Sequence, residues 1–125
     1  MLKIFRELIH STDNKDEDAA LSILEALSRH HKEIELDRTY WVSEWSWTPL
    51  TDGIFSYKQQ ISYSRISGSV IAFYSKENNR TYFPWDIYES KEECDEVCEL
   101  KNDFGYAWDN ALETFIDRHG LRAKR

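Results

Sequence analysis

Only two cysteines, four glycines, two prolines and one methionine occur among the 125 residues. Four glycines in scattered positions provide no phosphate-cradling loop. No apolar run approaches the roughly 20 residues that span a bilayer, so no membrane partner is expected. Positive charge is also scarce: 16 Lys and Arg face 23 Asp and Glu, for a net charge of −7. A chain of that sign repels polyanions at long range, which argues against general nucleic-acid binding. The opening stretch MLKIFRELIHST carries Lys3, Arg6 and Glu7 within its apolar part. It therefore reads as a poor secretory signal, and the cytoplasm is the expected compartment. Cys94 and Cys98 are too few for a disulfide framework. Their four-residue spacing puts both on one helical face, as buried free thiols. A metal site would need two more ligands from His10, His30, His31 and His119, and no metal or cofactor is expected.

Aromatic residues are plentiful, with five Trp, seven Tyr and six Phe. Leu, Ile, Val and Phe make up 29 residues, enough for a core. The length suits one compact domain over 1–125. Residues 2–9 can form a short helix or strand, and 11–18 read as a polar loop. Ala20, Leu21, Leu24, Leu27 and His31 follow helical spacing, which predicts a helix over about 16–32. From Thr39 to Trp47 the chain is dense in aromatic and β-branched residues, with Trp41, Trp45 and Trp47 on one strand face. Pro49 and Asp52-Gly53 mark a turn. Phe55, Tyr57, Ile61 and Tyr63 recur at period two and predict a strand over 54–66. Residues 70–75 read as a central strand, 76–80 as a turn, and 81–88 as a strand pushed to an edge or bulge by Pro84. Ser90 and Glu93 form a capping-box pair ahead of a helix over about 91–101, which Asn102 and Gly105 interrupt. A clearly amphipathic helix follows over about 105–118, ending near Gly120. This order predicts an α+β fold. A three- or four-stranded antiparallel sheet, over about 39–88, packs with an N-terminal helix and two C-terminal helices.

The charge is uneven along the chain. Residues 1–85 carry −2, residues 86–117 carry −9 and residues 118–125 carry +4. Exposed helices are usually charged, and an acidic face also serves solubility. A solubility face normally mixes signs, however. Glu92, Glu93, Asp95, Glu96 and Glu99 have only Lys91 and Lys101 as local partners. Like charges at helical spacing oppose one another by roughly 0.2–0.5 kcal/mol per pair. Tolerance of that repulsion marks a candidate site for a cationic partner. Tyr82, Phe83, Trp85 and Tyr88 cannot all face one side of a strand, so some face outward unless both sheet faces are covered. The expected partner-binding set is Trp85, Asp86, Tyr88, Glu89, Glu92, Glu93, Glu96 and Glu99, aromatic anchors within a charged rim. The basic tail LRAKR reads either as a frayed end or as an internal mask for this surface.

No catalytic constellation stands out. His30 and His31 point about 100° apart on a helix and cannot serve one site. No serine sits in a nucleophile elbow. Cys94 lies among carboxylates, which oppose thiolate formation. An enzyme is not expected. The alternative is a small-molecule enzyme or ligand-binding module using Trp41, Trp45 and Trp47 with Glu44, since indoles and a carboxylate hold sugars or cations. An adaptor subunit of a complex is a third reading.

In size, acidity, aromatic content and architecture the chain resembles the small cytoplasmic immunity proteins of bacterial toxin systems, including contact-dependent growth inhibition. The resemblance is one of general character across the whole chain, with no shared residue motif. It implies a protein that binds and neutralises a cognate basic toxin domain, such as a nuclease, by covering its active site or substrate surface.

Overall fold

The computed structural model describes residues 16–29, 33–47, 52–67, 70–78 and 80–120. The expectations for residues 2–9, for most of 11–18, for His30 and His31, for the Pro49 turn and for the tail 121–125 lie outside the described residues. The fold is α+β. Helix α1 (Glu17–Leu27) begins at Asp16, whose carboxylate accepts a hydrogen bond from the Ala19 amide at 2.8 Å. That cap satisfies one of the orphan donors of the first turn. Its buried stripe is Ala20, Ile23, Leu24 and Leu27.

The strands follow: β1 (Arg38–Trp47), β2 (Asp52–Ile61), β3 (Tyr63–Ser67), β4 (Val70–Tyr74), β5 (Thr81–Tyr82) and β6 (Ile87–Tyr88). They form two antiparallel three-stranded sheets, in the orders β2-β1-β6 and β3-β4-β5. The single strand expected over 54–66 is therefore divided at Ser62. On its N-terminal side the chain pairs with β1, Trp45 opposite Ile54 and Arg38 opposite Ile61. On its C-terminal side it pairs with β4, which is central in its sheet as its apolar run predicted. The strand expected over 81–88 is likewise split. Pro84 has no amide proton for a ladder, and Pro84–Asp86 form a 3₁₀ turn instead. That turn carries the chain from one sheet to the other.

Helices α2 (Lys91–Phe104) and α3 (Tyr106–Arg118) complete the fold. The Ser90 hydroxyl caps α2 by accepting from the Glu93 amide at 3.2 Å. Asn102 does not end α2; the break comes at Gly105, at a positive φ of 59° that favours glycine. Helices α1 and α3 pack together, and α2 lies on β1 and β2.

Period-two alternation in β1 decides which side chain enters which core. Trp41 and Trp45 pack against the larger cluster, with Ile54, Cys94, Val97, Cys98 and the buried stripes of α1 and α3. Tyr40 and Val42 point the other way, into a second cluster with Ile61, Phe73, Tyr82 and Ile87. The first sheet is thus covered on both faces around β1 and β6.

Candidate functional site

The expected anchors are core residues. Trp85 and Tyr88 are 1% and 0% exposed, which corrects their place in the partner-binding set. Trp85 stacks on Phe83 at 5.0 Å and meets Phe115 edge-on at 5.8 Å. The Tyr88 hydroxyl donates to the Trp85 carbonyl at 2.6 Å. The physical reason is the 3₁₀ turn together with the two-sided cover of β6. Alternation no longer forces one aromatic outward, because Ile87 and Tyr88 enter different clusters. Burial also holds the Tyr88 phenol well above its ordinary pKa, since desolvation disfavours the charged form.

Asp86 is not a surface acid either. Its Oδ1 accepts from the buried Lys101 Nζ at 2.6 Å, and its Oδ2 accepts from the Phe83 amide at 2.9 Å. Lys101 also donates to the Ser43 hydroxyl at 2.7 Å. This leaves every buried side-chain polar atom of the described residues with a partner, as interior polar groups require. One consequence reaches the outside. Lys101 was one of two cations available to neutralise α2, and it is turned inward. The outer face of α2 is more acidic than its sequence suggests.

Of the remaining expected residues, Glu89 is exposed and pairs with Arg38 at 2.9 Å. Glu92 and Glu99 are exposed, and Glu93 and Glu96 are half-buried. Asp95 joins this face, held below the usual carboxylate range by hydrogen bonds from Lys91 Nζ at 2.8 Å and from the Ser56 hydroxyl. Asp103 extends the exposed face by a further turn. Arg118, the described base nearest the tail, pairs with Glu25 of α1 at 3.5 Å rather than with α2.

The aromatic component lies on β2, where the sequence reading did not place it. Phe55 and Tyr57 are 41% and 36% exposed. Beside Phe55, an open groove of about 380 Å³ runs between β2 and α2, with Ser56, Asp95, Glu99 and Asp103 along it. The period-two pattern put Phe55, Tyr57 and Ile61 on one face. Only Ile61 is covered, because the second sheet reaches that end of β2 alone. Cys98 lies at the base of the groove, 4% exposed, 3.6 Å from the Ser56 hydroxyl. Its thiol pKa is lowered, first by a hydrogen bond from Cys94, whose own pKa is pushed up by the same contact.

A second concavity, of about 250 Å³, is lined by Glu44, Trp45, Arg80, Tyr82, Lys101 and Trp108 among others. Glu44 is bound by Arg80 Nε at 2.9 Å and by the Tyr82 hydroxyl at 3.1 Å. Its carboxyl sits above the ordinary range because burial outweighs those contacts. Trp41 is elsewhere, with Lys58 and Lys91 over its ring at 5.3 and 5.8 Å. Trp41 and Trp45 therefore do not share one site. The side chain of Trp47 lies outside the described residues.

Among the described residues no group of His, Cys, Asp and Glu is arranged to hold a metal ion. No helix of these residues is long and apolar enough to cross a membrane. Compared with known proteins, the chain matches no family model, no curated protein and no solved structure.

Proposed function

We propose that this protein is a cytoplasmic binding protein of the immunity type, which neutralises a cognate basic toxin domain, a nuclease, by covering its cationic surface. The observation that supports this reading is the outer face of α2. Glu92, Asp95, Glu99 and Asp103 line it while Lys101 is withdrawn into the core, and exposed Phe55 stands beside it. A phosphate-binding surface is cationic, and an array of carboxylates on a rigid helix imitates or covers it. Phe55 and Tyr57 take over the anchoring role first assigned to Trp85 and Tyr88.

The test takes as its candidate partner whatever basic domain a neighbouring gene encodes. The full chain is expected to bind it and suppress its nuclease activity. Glu92→Lys, Glu99→Lys and Asp103→Lys combined should abolish both effects while leaving the circular dichroism spectrum unchanged. Undiminished binding by the triple variant would exclude the acidic-face mechanism.

The 250 Å³ concavity favours a second reading, a small-ligand module. It places Glu44 and Arg80 beside the indoles of Trp45 and Trp108, a combination that holds polar ligands by stacking and hydrogen bonding. Quenching of tryptophan fluorescence by a sugar, lost in Glu44→Gln, would support it. Absence of any quenching across a panel of sugars and organic cations would remove it.

A further inference from the structure

The acidic groove ends at a strand edge that no other described strand pairs with, and the direction of the β2 backbone can be read from two plugs. At one end, the Ile54 amide donates to Asn102 Oδ1 at 2.8 Å and the Ile54 carbonyl accepts from Asn102 Nδ2 at 3.0 Å. Both main-chain groups of Ile54 therefore point away from β1. The pairing with β1 runs without a bulge from Asp52 to Ile61. Alternation then turns the backbones of Ser56, Lys58 and Gln60 the same way. At the other end, the outward Ser62 amide donates to the Tyr74 carbonyl at 2.8 Å, where β4 begins to cover the edge. The Lys76 amide closes that end on the Ser62 hydroxyl at 3.1 Å. Between the plugs, no backbone hydrogen bond joins the outward groups of Ser56, Lys58 or Gln60 to another described residue. The window spans five residues, roughly 15 Å of strand.

The two faces of this window differ. On the α2 side, Ser56 meets Asp95, and Glu99 and Asp103 line the same groove. Alternation turns Tyr57, which is exposed, to the opposite side, and exposed Phe55 stands where that side meets the groove. A strand laid against β2 would present alternate side chains to these two faces. Lys58, the cation within the window, lies over the Trp41 ring and forms no ion pair with these acids among the described residues.

We infer that β2 receives an extended strand from the cationic partner, with basic side chains on the α2 face and apolar ones beside Phe55 and Tyr57. Main-chain bonds to Ser56 and Lys58 fix the register, and the alternation of charge and apolarity gives selectivity. This inference rests on the acidic-face reading above and adds the mode of docking. Asn102 has a matching role: its amide mimics a strand at Ile54 and limits how far an added strand can run, a way of guarding an edge.

The probe is a capped octapeptide of alternating lysine and valine, compared with one carrying four lysines followed by four valines. Amide hydrogen exchange is followed on the full chain. In the free protein the amides of Ser56 and Lys58 should exchange rapidly, and the alternating peptide should slow them at least tenfold. The block peptide should not. Lys58→Pro, which removes an outward amide and is tolerated at an edge, should weaken the alternating peptide at least tenfold, and Lys58→Ala less than threefold. If Lys58→Pro fails to fold, exchange in the unaltered chain decides alone. The inference is overturned by amides already protected in the free protein, by no change on adding peptide, or by equal effects of the two Lys58 variants. Binding that Glu99→Lys with Asp103→Lys removes, but that never protects these amides, would leave the acidic-face reading standing and strand docking refuted.

Discussion

At the scale of single residues, polar side chains taken inside decide more than the exposed ones. Lys101 shows this most directly. Its ammonium sits 2.6 Å from Asp86 and 2.7 Å from the Ser43 hydroxyl, in a site from which water is nearly excluded. Lys101→Met leaves Asp86 without its charge partner and is expected to cost about 3 kcal/mol in urea unfolding. Changing Asp86→Leu at the same time should recover part of that loss, since the unpaired charge is then gone. Tyr82 and Tyr88 give a pH dependence of defined sign. Desolvation raises both phenols, so they ionise in the unfolded chain first, near the ordinary value of about 10. Above that pH the native state holds more protons than the unfolded one, and stability falls as pH rises. Tyrosinate absorbance from Tyr82 and Tyr88 should therefore appear only together with loss of the native circular dichroism, and Tyr82→Phe with Tyr88→Phe should remove that component. Glu44 is paired with Arg80, yet burial outweighs that contact and raises its carboxyl, the reverse of the usual salt-bridged acid. Its raised value means that stability is lost as pH climbs through it, so Glu44→Gln should flatten the stability profile just above the ordinary carboxylate range.

At the scale of elements, local signals were legible wherever one cause acted alone. The Ser90 cap, the helical stripes and the strand character of 39–47 followed from short-range chemistry. Ser90→Ala is expected to lower stability by about 1 kcal/mol, measured by thermal unfolding, with the loss confined to α2 fraying. Elements were misjudged where a neighbour intervened. The bend at Ser62 has no glycine or proline to announce it; it exists because the chain changes pairing partner from β1 to β4. Asn102 looked like a helix breaker, but it stays helical because its side chain is engaged by Ile54 across the groove. The same contact makes Gly53 sensitive. At φ 146°, with Asn102 Oδ1 only 3.1 Å from where a Cβ would stand, Gly53→Ala should destabilise the β2 end by about 1–2 kcal/mol and loosen the Asn102 clamp. Faster exchange at the Ile54 amide would report it.

At the scale of the whole molecule, burial and charge are partitioned. Trp85, Tyr88, Phe104, Trp108 and Phe115, in or beside the acidic segment, belong to the core, Tyr106 is its exposed exception, and the aromatics beside the groove come from β2. Trp85→Ala should cost about 3–5 kcal/mol in urea unfolding, through the cavity left beneath Phe83 and Phe115. Phe55→Ser should leave stability nearly unchanged and weaken partner binding instead. The contrast between those two variants separates core from surface. Association through the α2 face should also slow steeply as salt is raised, with the association rate more affected than dissociation. The acidity of this helix was legible, with Glu92 and Glu99 exposed as expected, but Glu93 and Glu96 are half-buried and the exposed face takes in Asp95 and Asp103 instead. Its aromatic partner was not, because exposure of Phe55 and Tyr57 depends on how far the second sheet extends along β2.

Local sequence determined the α+β class, the Ser90 cap, the amphipathic stripes and the address of the negative charge. These depend on neighbours within about four residues, where backbone sterics and side-chain spacing act directly. Only the tertiary structure decided which aromatics are anchors and which are core, where Lys101 points, and which strand edge is left open. Each of those depends on a partner distant in sequence: Asp86 for Lys101, β4 for the turn at Ser62, Asn102 for Ile54. Residue type and spacing carry no record of such pairings until the chain has closed on itself.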